Sequence, residues 1–118
     1  VIGARTRVLA HATLLGRTTI GADNEIHMGA VIGNTPQDRG YDGSATAVCI
    51  GDRNVFREHV QIHRASRPDG VTRIGDDNYF MATSHIAHDC RVGNQVTLAN
   101  GAAVGGHATL ADRVFLSG

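Results

Sequence analysis

Seven histidines occur in 118 residues, and four of them, His63, His85, His88 and His107, lie in the second half of the chain. His85 and His88 stand three apart in "SHIAHDC", and Asp89 directly follows His88. A carboxylate there can accept the Nδ1–H of the imidazole and leave Nε2 as the basic nitrogen. Such a pair suits removal of a proton from a weak nucleophile. Histidine is also a common zinc ligand. Spacing alone leaves three readings open: a general base, a metal site, or surface imidazoles with no joint role. A second polar cluster, Gln37, Asp38, Arg39 and Tyr41, occurs earlier in "NTPQDRGYDG".

Composition removes several functions. All eleven cations are arginine, which excludes lysine-based covalent chemistry. Formal net charge is zero, so no basic surface recommends nucleic acid as a partner. No apolar run reaches membrane-spanning length and no signal peptide is visible. The expectation is a chain without an integral membrane segment, working in the cytoplasm. Cys49 and Cys90 show no metal-ligand spacing and read as small buried side chains in a reducing compartment.

The element that must position these groups is written in a period of six. Ile74, Phe80, Ile86, Val92, Leu98, Val104, Leu110 and Leu116 are eight successive hits. Ile2, Val8, Leu14, Ile20, Ile26 and Ile32 form a second series, and Ile50, Phe56 and Ile62 a third. Six matches neither the helical period nor strand alternation. It is the hexapeptide repeat of a parallel β-helix, in which three short strands close one eighteen-residue coil. The residue four places after each anchor must be small, because close packing leaves no room for a second large side chain. Thr6, Ala12, Thr18, Asn24 and Ala30 fit, as do Ser84, Cys90, Val96, Ala102 and Ala108. The glycine after many anchors, as in Ile20-Gly21 and Ile50-Gly51, and Asn24, Asn54 and Asn78 read as corner residues with positive φ.

Length allows one domain, residues 1–118. Two segments break the repeat, 34–48 and 64–73, and both read as loops leaving the prism. Insertions in repeat arrays often build a binding face. The chain starts on a repeat unit and stops inside another, so the expectation is a piece of a longer protein.

Adjacent parallel strands lie roughly 4.8 Å apart. His107 is nineteen residues beyond His88, one coil plus one residue, so these two imidazoles can line one groove.

The strings "IGNTPQDRGYDG", "IGDRNVFREHVQIHRAS", "IGDDNYFMATSHIAHDCRVGNQVTLAN" and "VGGHATLADRVFLSG" resemble the UDP-N-acetylglucosamine O-acyltransferases, hexapeptide-repeat enzymes of lipid A synthesis. The resemblance implies a left-handed, all-β parallel helix and a homotrimer with active sites between subunits. It implies transfer of an (R)-3-hydroxyacyl chain from acyl carrier protein to the 3-hydroxyl of UDP-N-acetylglucosamine, without metal or cofactor. On this likeness His88 is the general base, Asp89 orients it, and the Gly106 N–H is the oxyanion donor. Gln37, Asp38, His63, His85 and His107 match substrate contacts. The first coils and a helical C-terminal domain of the family have no counterpart in this chain. The family's Gln-Asp-x-Lys-Tyr reads Gln37-Asp38-Arg39-Gly40-Tyr41 here, with Gly40 in place of lysine and Arg39 as the candidate replacement cation.

Other readings compete. One is a metal-dependent β-helix enzyme of the γ-carbonic-anhydrase type using His85, His88 and His107. A second is the N-acyltransferase of the later lipid A acylation. A third is a trimerising scaffold without catalysis.

Overall fold

The computed structural model describes all 118 residues and contains strands, turns and no helix. Sixteen short strands form three parallel sheets, one per side of a prism. Sheet I holds β1 (Arg7–Val8), β4 (Glu25–Ile26), β7 (Val55–Phe56), β10 (Tyr79–Phe80), β13 (Thr97–Leu98) and β16 (Phe115–Leu116), in that order. Sheet II holds β2 (Thr13–Leu14), β5 (Val31–Asn34), β8 (Gln61–His63), β11 (His85–Ile86) and β14 (Ala103–Val104). Sheet III holds β3 (Arg17–Ile20), β6 (Ala47–Ile50), β9 (Val71–Ile74), β12 (Arg91–Val92) and β15 (Thr109–Leu110). Consecutive strands belong to different sheets, so the chain winds as a parallel β-helix.

Register follows the sequence period. Anchors stack on anchors: Ile26 pairs with Phe56, Phe56 with Phe80, and Phe80 with Leu98. The anchors and the residues two before them fill the prism. Ile26, Ile32, Phe56, Ile62, Phe80, Ile86 and Leu98 are fully buried, and so are Ala30, Asn54, Val60, Thr72, Ser84, Cys90 and Val96. Each buried aliphatic or aromatic anchor contributes about 1.5–3 kcal/mol of transfer free energy. Phe56 and Phe80 lie with ring centroids 5.3 Å apart, stacked on neighbouring coils of the prism.

Four expectations need correction. The insertions are shorter than the breaks in the repeat: Asn34 closes β5, Ala47 and Val48 open β6, and Val71–Arg73 lie in β9. Of the strands beside the insertions, β5, β6 and β9 extend to four residues and β8 to three, because parallel partners are available there and backbone groups seek pairing. Positive φ belongs to the residue before each asparagine, Asp23 at 58°, Arg53 at 56° and Asp77 at 59°. Asn24, Asn54 and Asn78 instead point into the prism.

Of the glycines that follow anchors, only Gly33 has positive φ. Gly21 and Gly51 are needed for close approach: a Cβ on either would collide with a carboxylate oxygen of the next coil, Asp52 or Asp76. Finally, Cys49 is only half-buried, on the outward row of β6, whereas Cys90 is buried; both thiols are free.

The buried asparagines form a ladder along the edge between sheets III and I. Asn54 Nδ2 donates to Asn24 Oδ1 at 3.0 Å and to the Gly75 carbonyl at 2.9 Å. Asn54 Oδ1 accepts the Asn78 N–H at 2.9 Å, and Asn78 Oδ1 accepts the Val96 N–H at 2.7 Å. This satisfies backbone groups that the four-residue turns leave unpaired in a dry interior. Asn54→Ala strands the Asn78 N–H and the Gly75 carbonyl. We predict a loss of about 2–4 kcal/mol of unfolding free energy in chemical denaturation; a loss below about 0.5 kcal/mol would contradict the ladder's role.

Candidate active site

The edge between sheets II and III carries the chemistry. Both insertions leave from it, 35–46 between β5 and β6 and 64–70 between β8 and β9. One coil further, the same turn holds His88 and Asp89 between β11 and β12. One coil beyond that it holds Gly105, Gly106 and His107 between β14 and β15. Residues remote in sequence therefore superpose on a single edge.

At its centre is a hydrogen-bonded pair. His88 Nδ1 and Asp89 Oδ2 are 2.8 Å apart, with side-chain exposures of 15% and 13%. The carboxylate partner makes Nδ1 the protonated nitrogen of the neutral ring and leaves Nε2 as the base. Asp89 sits in the left-handed region, φ 61°, with its N–H donating to Thr72 Oγ1 at 2.9 Å. His107, stacked one coil above, also has positive φ, 64°, and its N–H donates to the His88 carbonyl at 3.0 Å. The two imidazoles meet edge to face, centroids 5.1 Å apart. Gly106 lies flat against His88: a Cβ there would fall 2.7 Å from Cε1 and Nε2. The Gly106 N–H donates to no group in the chain. The Gly105 carbonyl of the same peptide unit accepts the Cys90 thiol at 3.1 Å.

The insertions build the outer wall. Ser66 of the second insertion donates its N–H at 2.9 Å and its hydroxyl at 2.7 Å to Asp89 Oδ2. Arg64 ties the first insertion down: Nη1 donates to the Gly33 carbonyl and Nη2 to the Tyr41 hydroxyl, both at 3.2 Å, and the guanidinium lies 5.7 Å from the Tyr41 ring centroid. Between the insertions opens a polar cleft of about 290 Å³ lined by Asp38, Gly40, Asp42, Ser66, Arg67, Pro68 and His107. A neighbouring cleft of about 340 Å³ is bordered by Arg67, Asp89, Arg91 and His107.

Burial works to raise the Asp89 carboxyl, but hydrogen bonds from Ser66 and His88 and the nearness of His107 outweigh it and hold it below the usual carboxylate range. His63 and His85 form a second edge-to-face pair, centroids 5.0 Å apart, on β8 and β11. Desolvation lowers His63 to about 4, with further repulsion from His85 and His88. Desolvation, then His88, also lowers His85. Both rings thus stay neutral at physiological pH and suit hydrogen bonding to uncharged groups.

Asp38, Asp89 and His107 line the clefts. His88 and Gly106 line neither and join them through the His88–Asp89 bond and the packing of Gly106 on the His88 ring, with His63 and His85 on the adjoining sheet. Gln37 is exposed and lines neither cleft, and Arg39 is likewise exposed; the cation bordering both clefts is Arg67. Ser66, Arg67 and Arg64 were not singled out in the sequence, because residues in a loop carry no period.

The metal reading has one cluster of candidate donors here. One donor atom each from His88, Asp89 and His107 lies within 4.8 Å of the others. Asp89 Oδ2, however, already accepts His88, the Ser66 N–H and the Ser66 hydroxyl. His85 pairs with His63 rather than joining that group.

Coils of three strands in a period of six define a hexapeptide-repeat β-helix, and residues 72–106 match the family model described as bacterial transferase hexapeptide (six repeats). The chain is 51% identical over 106 residues to an acyl-[acyl-carrier-protein]–UDP-N-acetylglucosamine O-acyltransferase of Syntrophobacter fumaroxidans, 89% of this chain and 41% of that protein. It superposes on a UDP-N-acetylglucosamine acyltransferase of Bacteroides fragilis with a TM-score of 0.96 at 36% identity, covering 98% of this chain and 46% of the other. The Francisella novicida UDP-N-acetylglucosamine acyltransferase gives 0.95 at 38% identity, with 98% and 43% covered. The chain is a left-handed parallel β-helix related over nearly its whole length to the UDP-N-acetylglucosamine O-acyltransferases. It spans less than half the length of these relatives.

His63 gives a pH prediction. Its unfolded value of 6.5 exceeds its folded value of about 4, so the unfolded chain binds more protons in that window. Stability is full above pH 6.5 and falls as pH drops toward 4. At pH 5 the His63 contribution is about 2 kcal/mol. Denaturation at pH 7 and pH 5 should show wild type losing about that much more than His63→Gln. Equal losses would contradict the burial of a neutral ring.

Proposed function

We propose that the protein containing this chain transfers an (R)-3-hydroxyacyl group from acyl carrier protein to the 3-hydroxyl of UDP-N-acetylglucosamine, the first step of lipid A synthesis. It works as a homotrimer in the cytoplasm, without metal or cofactor. The observation that carries the reading is the 2.8 Å His88–Asp89 bond with Gly106 packed against the same imidazole.

A sugar hydroxyl is a poor nucleophile until a base takes its proton. His88 Nε2 accepts that proton as the oxygen attacks the thioester carbonyl. Asp89 stabilises the imidazolium that forms. The carbonyl oxygen becomes an oxyanion, and the Gly106 N–H donates to it. The tetrahedral intermediate collapses, the C–S bond breaks, and the imidazolium returns its proton to the departing sulfur. Asp38 and His107 border the cleft where the sugar nucleotide sits; His63 and His85, held neutral, hydrogen-bond its uncharged groups. Gln37 contributes from the exposed rim. One oxyanion donor contributes about 10²–10³ in rate.

The test is acyl transfer by the full-length protein with UDP-N-acetylglucosamine and a series of 3-hydroxyacyl carrier proteins. His88→Ala should lower kcat by about 10²–10⁴ with the assembly intact by sedimentation. Retained turnover would overturn the assignment of the base. Gly106→Ala should lower kcat about a hundredfold, because the added Cβ displaces the imidazole. A crystal structure of that variant with His88 unmoved would contradict the cause.

A further inference from the structure

We propose that Ser66 is a positioning residue for this reaction, its hydroxyl and its backbone N–H together clamping Asp89 Oδ2 and thereby setting the aim and basicity of His88. The inference rests on the reading of His88 as the base and deepens it.

Three donors converge on one carboxylate oxygen: His88 Nδ1 at 2.8 Å, the Ser66 hydroxyl at 2.7 Å and the Ser66 N–H at 2.9 Å. No second residue supplies two of them. The Asp89 main chain is fixed independently, by its bond to Thr72 Oγ1. The two devices do different jobs: Thr72 places the Asp89 backbone, and Ser66 selects the carboxylate orientation that meets Nδ1. A carboxylate sharing its charge with more donors holds each one less tightly. The Ser66 hydroxyl therefore moderates the pull of Asp89 on the His88 Nδ1 proton.

The other charged groups facing Asp89 leave this assignment intact. His107 Nε2, from the turn after β14, lies 3.8 Å from Oδ2. Arg91 of β12 and Arg67 of the second insertion border the same cleft. His85 of β11 and His63 of β8 stand on the adjoining sheet. His107 favours an ionised Asp89 whether or not Ser66 is present, and the neutral rings of His63 and His85 leave its charge alone. Removal of the hydroxyl accordingly changes the strength of the His88–Asp89 bond rather than the charge of Asp89.

The experiment compares wild type, Ser66→Ala and Ser66→Thr in the full-length protein, by steady-state kinetics across pH and by NMR titration of His88. Ser66→Ala should lower kcat roughly tenfold with KM within about twofold, the scale seen when an outer hydrogen-bond partner is lost. The acidic limb of kcat/KM and the His88 titration should both move up by about half a pH unit. Ser66→Thr keeps the hydroxyl and should restore all of these. An unchanged kcat in Ser66→Ala would overturn the proposal. So would an equal loss at every pH with the His88 titration unmoved, the mark of a merely structural role. If the titration moves while wild type transfers no acyl group, the clamp stands and the acyl-transfer reading falls.

Discussion

Everything in this molecule depends on the fixed stacking of one coil on the next. Parallel pairing holds residues eighteen apart at one rung spacing, as with Arg7 opposite Glu25. Where an insertion intervenes the chain separation grows, to thirty between Arg17 and Ala47 and to twenty-four between Ala47 and Val71. The anchors still pair with anchors, and the one irregularity is a register shift between Ile32 and Asn34, where β5 meets β8 at the mouth of the first insertion. The extra residues are expelled sideways from a single edge, so the stacking of anchors such as Ile32 on Ile62 is kept. A β-helix thus keeps packing on its inside and leaves the turns to vary, which is how loops come to carry chemistry on a rigid scaffold.

The edges have different tasks. Between sheets III and I, turns repeat one solution: an inward asparagine satisfies the backbone of the next rung, and a glycine admits a carboxylate from above. Between sheets II and III that regularity is given up. The turns there hold two insertions, a His–Asp pair, a free peptide N–H and a second imidazole. A half-buried ionised carboxylate costs desolvation unless its lone pairs are filled. Ser66 and His88 fill those of Asp89 Oδ2, which keeps the carboxyl ionised despite its burial.

The architecture was largely legible because its signal is periodic. The sixfold recurrence of Ile, Val, Leu and Phe marks the anchors, and every anchor from Ile20 to Val104 is buried in one column. Adjacency also made the His88–Asp89 contact legible, since neighbours in one turn need no fold to meet. What resisted reading has no period. The asparagines looked like positive-φ corner residues, yet the preceding residue takes that strain and the amide turns inward. Ser66 is twenty-three residues from Asp89, and only the lengthened coil of the second insertion brings them together. Gln37 and Asp38 are neighbours in sequence, but the loop carries only Asp38 into the cleft.

The central claim is that this stacked edge presents His88 Nε2 to a sugar hydroxyl. The most direct test is a crystal structure of the full-length protein with UDP-N-acetylglucosamine bound. The account predicts the sugar 3-hydroxyl within about 2.6–3.2 Å of His88 Nε2, or one water away, with the Gly106 N–H facing the same point. A nucleotide sugar bound elsewhere, with its 3-hydroxyl out of reach of His88, would contradict it.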